Sequence, residues 1–180
     1  MPEGLLGELL DEAALAPSVG LSEPWRFVDV NSPAIRAAIN REFERANAEA
    51  LKGYEGEQAQ LYARLKLAGL ECAPVHLAVF VDRETSKGSG LGRRSMPETL
   101  EYSVVGAIHT LWLAARVHGV GLGWVSIFDP SRVTEVLDVP LSWGFVAYLC
   151  LGFPEEDSIT PELERSGWEK RADRCSILRR

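Results

Sequence analysis

Three histidines, three cysteines and two methionines leave this 180-residue chain with little of the usual equipment for metal or thiol chemistry. Cys72, Cys150 and Cys175 are odd in number, far apart and never in Cys-x-x-Cys spacing. They read as reduced thiols rather than disulfides or a zinc site. His109 and His118 are out of phase for a shared ligand on a helix, so no metal is expected. No apolar run approaches the ~20 residues that span a bilayer. The first ten residues hold Glu3 and Glu8 and no basic cluster, so they do not read as a secretory signal, and a cytoplasmic protein is expected. A net charge of −7 argues against a general binder of nucleic acid or anionic membrane. Gly-x-Ser-x-Gly, His-Glu-x-x-His and the phosphate-cradling Walker loop are all missing. With so few catalytic constellations, the chemistry is expected to come from a cofactor that the protein positions.

What is present is an ordinary globular composition, 46% hydrophobic and 25% charged, enough for one domain over 1–180 with a sizeable core. Leu5, Leu6, Leu9, Leu10 and Ala13 predict a helix over about 3–15 with one buried face. Trp25 to Val30 reads as a strand. Ser32-Pro33 starts a helix whose stripe is Ile35, Ile39, Phe43 and Ala46, with Arg36, Arg41, Glu42, Glu44 and Arg45 toward solvent. Gly53 and Gly56 break it, and a further helix carries Ala59, Tyr62, Leu65 and Leu67 and ends before Pro74. Val75 to Val81 is a strand covered on both faces, in which His76 is expected to be a hydrogen-bonded core residue. The polar stretch Asp82 to Arg94, with Gly88, Gly90 and Gly92, reads as a flexible flap. Ser95-Met96-Pro97-Glu98 has capping-box spacing and should open the longest helix, apolar almost all round from Leu100 to Val117. Gly119 suits its C′ position. Gly121 to Ile127 reads as a strand whose one hydroxyl is Ser126. Asp129-Pro130 caps a short helix stopped by Pro140, and Phe145 to Leu151 is the fourth apolar strand. From about 155 to 180 the chain is a polar, arginine-rich tail anchored by Trp168, too poor in apolar residues for its own core and expected to wrap a partner subunit or the domain surface. The expected fold is α+β or α/β, with helices on both faces of the sheet. The excess of apolar helix surface favours an obligate homodimer.

The most carefully built connector is Ala16-Pro17-Ser18-Val19-Gly20-Leu21-Ser22-Glu23-Pro24-Trp25-Arg26-Phe27. Pro17 and Pro24 stiffen its ends, Gly20 permits close approach to the backbone, and Ser18 and Ser22 add small hydroxyls. It reads either as a helix-to-strand loop pinned by Trp25, or as a loop presenting amides and hydroxyls to a planar cofactor.

Several segments together carry a resemblance. They are Ala16–Gly20 with Pro24–Phe27, Leu65–Leu70, Gly90–Arg93, Met96–Val105, Leu111–Arg116, Gly121–Ile127, and Pro161–Glu164 with Gly167-Trp168. In this order they resemble the nitroreductase-like flavoprotein superfamily, and within it the BluB branch of 5,6-dimethylbenzimidazole synthases. The resemblance implies an α+β fold with a mixed central sheet flanked by helices. It also implies an obligate homodimer whose C-terminal tail wraps the partner, with FMN at the subunit interface. Reduced FMN would be substrate as well as cofactor, broken by dioxygen to give the lower ligand of cobalamin, with a separate flavin reductase supplying it. Carried over by position, Ser18, Val19 and Gly20 line the flavin ring, Glu23 takes a place usually held by an amide, and Met96 and Arg93 lie in a flap over the ring. Ser126 corresponds to the serine needed for fragmentation. Family members also carry an Arg-Arg-Asp-Val-Arg-like segment, ahead of the region matched, whose arginines clamp the phosphate. The 180 residues hold no counterpart, which leaves the phosphate to Arg171 or a neighbour. A nitroreductase-type, NAD(P)H-dependent FMN oxidoreductase and a shortened, inactive flavin-binding relative are the alternatives.

Overall fold

The computed structural model describes residues 1–65, 69–156, 158–172 and 178. Ser32 caps the longest early helix as its residue types require, its Oγ accepting from the Ile35 N–H with Pro33 in the first turn. The elements run α1 (Leu5–Ala13), β1 (Trp25–Asp29), α2 (Pro33–Leu51), α3 (Gly56–Arg64), α4 (Gly69–Cys72), β2 (Val75–Asp82), α5 (Thr99–Val117), β3 (Gly121–Val125), α6 (Pro130–Leu137), β4 (Trp143–Gly152) and α7 (Glu162–Arg165). Two 3-10 turns, Val19–Leu21 and Lys87–Gly90, interrupt the connectors on either side of β1 and β2. Leu67, expected in the second helix, lies outside the described residues.

The four strands form one sheet in the order β1-β2-β4-β3, and each neighbouring pair is antiparallel. The expected mixed sheet is therefore corrected. β2 and β3 do run the same way, joined by the α5 crossover, but β4 inserts between them and turns every pairing antiparallel. A bulge at Val146, where the register steps from Val79–Ala147 to Phe80–Phe145, bends the central pair.

Helices cover both faces. α1 and α5 pack Leu9, Val104, Ile108 and Leu111 against Leu77, Val79, Val81 and Leu149. On the other face α2 and α6 pack Ile39, Phe43 and Val133 against Ala78, Phe80 and Tyr148. The alternation of β2 side chains between these two layers explains its uninterrupted apolar run. Each large side chain so enclosed contributes roughly 1.5–3 kcal/mol.

α5 ends in a Schellman motif. Val120 N–H donates to the Ala115 carbonyl at 2.8 Å and Gly119 N–H to Arg116 at 3.1 Å, with Gly119 at φ 69°. Its start differs from expectation. Ser95 and Met96 both donate backbone N–H groups to the Gly92 carbonyl, so Ser95 belongs to the preceding turn. The helix is entered through Glu98, which is already in right-handed helical conformation and makes no side-chain cap. Thr99 Oγ1 closes that turn on the Met96 carbonyl at 2.6 Å.

Glu42 is a further correction. It is buried rather than solvent-facing, because α6 begins beside it. Glu42 Oε1 accepts the Asp129 N–H at 3.1 Å, and the carboxylate takes a bidentate grip from Arg45 at 2.7 and 2.9 Å. The Arg45 hydrogen bonds, opposed by burial, hold its carboxyl below the usual range. His76 is the structural core residue expected, with Nδ1 3.0 Å from the Tyr148 hydroxyl. Burial and then the Arg36 charge push its pKa down. A base with a lowered native pKa and an acid with a lowered native pKa both lose stability as pH falls. His76's contribution is complete above its ordinary pKa of 6.5 and Glu42's above 4.5. The thermal midpoint should therefore decline in two stages as a titration proceeds from neutral pH through these values. Scanning calorimetry from neutrality to well below pH 4 checks this, and a flat profile would contradict both assignments.

The tail does not run free in its described part. Trp168 packs edge-on to Tyr54 at 5.5 Å and tilted to Tyr62 at 6.0 Å, on the α2–α3 corner of its own chain. Up to that point the anchor lies on the surface of its own domain, one of the two places expected for the tail.

Candidate functional site

The polar residues at the start of α5 repeat at helical spacing: Thr99, Tyr102, Ser103 and Gly106. They face Pro17, Ser18 and Val19 across an open hollow of about 330 Å³. Ser103 ties the two sides together. Its Oγ accepts the Val19 N–H at 3.0 Å and donates to the Thr99 carbonyl at 2.6 Å. Ser18 Oγ accepts the Glu23 N–H at 3.1 Å. Leu21 and Ser22 donate back to Ser18 and Val19 carbonyls. Most amides of this loop are thus paired within the protein, which favours the first of its two readings, a pinned connector, over one that presents amides outward. What it offers is an apolar wall of Pro17 and Val19 edged by hydroxyls.

Gly20 is also reassigned. It has φ 55°, and a Cβ there would lie 2.8 Å from the Leu91 carbonyl oxygen and 3.1 Å from that of Gly88. The close approach comes from the flap. Gly88, at φ 78°, would place a Cβ 2.4 Å from the Gly20 oxygen, and one on Gly92 would sit 2.7 Å from Val19 Cγ2. The two loops meet backbone to backbone at Gly20 and Gly88, and Gly92 makes room for the Val19 side chain. Glu23 and Lys87 close the contact with an ion pair. Of the four non-glycine residues at positive φ among the described residues, three (Leu21, Glu23 and Ser89) fall in these two loops. The expected free flap is therefore a clasp docked on the 18–23 loop.

Ser18, Val19, Gly20 and Glu23 share one loop, and the flap touches it through Lys87, Gly88, Leu91 and Gly92, just ahead of Arg93 and half-exposed Met96. Ser126 stands elsewhere. β3 stops at Val125, and Ser126 follows it exposed at the sheet edge opposite β1. The two edges are three strand spacings apart, about 14 Å, although both groups lie at the same end of the sheet. Arg171 is exposed in the tail, with no described contact to the loop. Sequence reasoning missed Thr99, Tyr102 and Ser103. Their signal was a polar i, i+3, i+4 stripe at the head of an otherwise apolar helix.

The residues present fit a flavin. A planar apolar ring with a polar rim suits an apolar wall edged by hydroxyls. Arg93 Nη1, buried with no hydrogen-bond partner, suits an anionic edge. A larger open hollow of about 620 Å³ lies by α6, Arg83 and Trp143. It contains none of the residues that converge on the clasp. Cys150 is sealed in the core, its thiol pushed up to about 12 by burial, and takes no part. Among the described residues no cluster of metal-ligating side chains occurs and no helix is long and apolar enough to cross a membrane.

A sheet of this order with a loop–flap clasp over the head of the crossover helix is the frame of a flavoprotein family. Residues 1–153 match the model of the nitroreductase family, and the chain belongs to it. Within that family it is 57% identical over 169 residues to the 5,6-dimethylbenzimidazole synthase of Rhodospirillum rubrum, covering 94% of this chain and 80% of that one. It is 50% identical over 168 residues to the enzyme of the same name from Rhodobacter capsulatus, covering 93% and 81%. The fold is shared with an iodotyrosine deiodinase bound to FMN and 3-iodo-L-tyrosine, with a TM-score of 0.74 at 22% identity, covering 100% of this chain and 88% of that one.

Proposed function

We propose that this protein is a 5,6-dimethylbenzimidazole synthase that fragments reduced FMN with dioxygen. The observation that carries the reading is the 57% identity to the Rhodospirillum rubrum synthase over 94% of the chain. Bound FMN would supply both the oxygen-reactive ring and the carbon skeleton of the product.

The chain's own residues would then act as follows. Pro17 and Val19 seat the ring face, and the Ser103 hydroxyl holds Val19 in place through its amide. The flap, pinned by Glu23–Lys87, brings Met96 and Arg93 over the ring and excludes water. Ser126 places a hydroxyl toward the reacting ring. Because Ser126 and the clasp stand on opposite edges of one sheet, the reading assigns each pocket a Ser126 from a second copy. The outward face of α5 supports a homodimer. Val105, Trp112, Leu113 and Val117 form an exposed apolar stripe, continued by Trp124 on β3. The clasp hollow opens at the head of that stripe, where Tyr102 is 60% exposed.

Incubating the protein with a separate flavin reductase, NADH, FMN and air should yield dimethylbenzimidazole, identified by mass spectrometry. Recovery of intact FMN with only hydrogen peroxide would refute the synthase reading. Direct bleaching of bound flavin by NAD(P)H would instead establish a nitroreductase-type activity.

A further inference from the structure

Arg26 stands one residue inside β1, at the root of the 18–23 loop, and its guanidinium is engaged on two sides. Nη1 donates to the Glu23 carbonyl at 3.2 Å and to the Trp25 carbonyl at 2.8 Å. Nη2 donates to Asp82 Oδ2 at 2.7 Å. Asp82 is the last residue of β2, where the flap begins. Its other oxygen, Oδ1, accepts the Glu84 N–H at 3.1 Å, and its own N–H donates to the Pro24 carbonyl at 2.8 Å. One guanidinium–carboxylate pair therefore joins the bases of both halves of the clasp. The Asp82 side chain is only 15% exposed, so this inner pair is less screened than the outer Glu23–Lys87 pair, whose Lys87 is 53% exposed. Glu23, whose carbonyl Arg26 grips, is held at φ 42°, a left-handed conformation that costs a residue with a side chain. Its carboxylate is the one that meets Lys87 across the contact.

We propose that Arg26 is a positioning residue for the clasp. By holding the Glu23 carbonyl and the Asp82 carboxylate together it fixes loop against flap, and so governs how readily the flap opens to exchange ligand. This rests on the reading that the clasp encloses flavin. Arg26 does not line the hollow and acts through Glu23. Released from it, Glu23 relaxes from its left-handed conformation, the ion pair with Lys87 loses its place, and the flap lifts from Gly20. A guanidinium suits this role because its donors point in fixed directions, one nitrogen serving the carboxylate while another serves the two carbonyls. An ammonium is a point charge and cannot keep that geometry.

The test uses the intact protein and its Arg26→Gln, Arg26→Lys and Asp82→Asn variants, each alone and with FMN. Trypsin cleavage after Lys87 and Arg94, both exposed in the flap, is timed by mass spectrometry, with cleavage after exposed Lys170 in the tail as internal reference. Cleavage of a segment that opens and recloses quickly follows the population of its open form. Arg26→Gln should speed flap cleavage about 10-fold relative to Lys170, the scale of one hydrogen bond to a charged group, and weaken FMN binding by a similar factor. Asp82→Asn, with one acceptor oxygen left for two donors, should do the same. Arg26→Lys keeps a charge beside Asp82, so its thermal midpoint should stay near wild type while flap cleavage stays fast. That variant decides alone if Arg26→Gln does not fold. Wild-type flap cleavage in Arg26→Gln overturns the proposal. Full rescue by Arg26→Lys does so too, because charge alone would then suffice. So does an acceleration that merely tracks the thermal midpoint across the variants, the mark of a pair that only supports the fold. FMN should slow flap cleavage in the wild-type protein. If the wild type binds no flavin, the flavin reading fails, while the ligand-free cleavage rates still judge Arg26.

Discussion

Gly88→Ala should abolish retention of FMN and destabilise the fold. The new methyl would meet the Gly20 oxygen at 2.4 Å and its carbonyl carbon at 3.0 Å, both backbone atoms that have no rotamer to move to. The residue would also have to hold φ 78°, which costs an L-residue roughly 1–2 kcal/mol. Forcing the two loops apart adds about 1–3 kcal/mol of the kind seen when packed interiors are overfilled. The Glu23–Lys87 pair is too exposed to offset this, since such surface pairs contribute about 0–1 kcal/mol. The expected result is a thermal midpoint lowered by several degrees and flavin lost on gel filtration. Gly7→Ala is the matched control. Gly7 is exposed on α1 with nothing within 4 Å of its added Cβ, so the same change should stabilise by about 0.5–1 kcal/mol. A Gly88→Ala protein that holds FMN as tightly as wild type would show that the clasp is dispensable.

Ser126→Ala should cut dimethylbenzimidazole formation by about 10²-fold or more while leaving FMN affinity unchanged, the scale of losing one donor aimed at developing charge. Ser126 is exposed and beyond the end of β3, so its removal takes no packing from the core. Placement at the far sheet edge gives a sharper version. Mixed dimers of Ser126→Ala and Gly88→Ala subunits contain one pocket with an intact clasp facing an intact Ser126. Such mixtures should regain activity that neither parent shows. Parents that do not complement would mean that Ser126 serves its own chain's pocket, or none.

The elements and their caps were legible because their signals are local. Ser32-Pro33 names a helix start, Gly119 a helix end, and the apolar run at 75–81 a strand covered twice. Non-local packing overrode the local signals elsewhere. Ser95 and Glu98 have capping-box spacing, but Gly92 captures the Ser95 amide first. Glu42 reads as a solvent residue in its own helix and is buried only because α6 begins against it, at a separation of 87 residues. The same holds for the site. Residue types picked out Ser18–Gly20, but not that Gly20 would be filled by the flap, nor that the Val19 amide would be claimed by Ser103 from 84 residues away. The strand order was equally hidden, since no residue says that β4 will enter between β2 and β3.

That late insertion sets the order of assembly. β4 is the last strand made, and its contact with β2 spans a separation of 72 residues at His76 and Tyr148. Contacts so distant in sequence close slowly, and during synthesis at about 5–20 residues per second the wait lasts some seconds. Until then β2 has only β1 beside it and offers an apolar open edge, the form most prone to pair with another chain. Every loop of the clasp, and the whole of α5, leaves the ribosome before Trp143 does. A nascent chain at that point holds all the pieces of the ligand wall and none of the strand that closes the core beneath them.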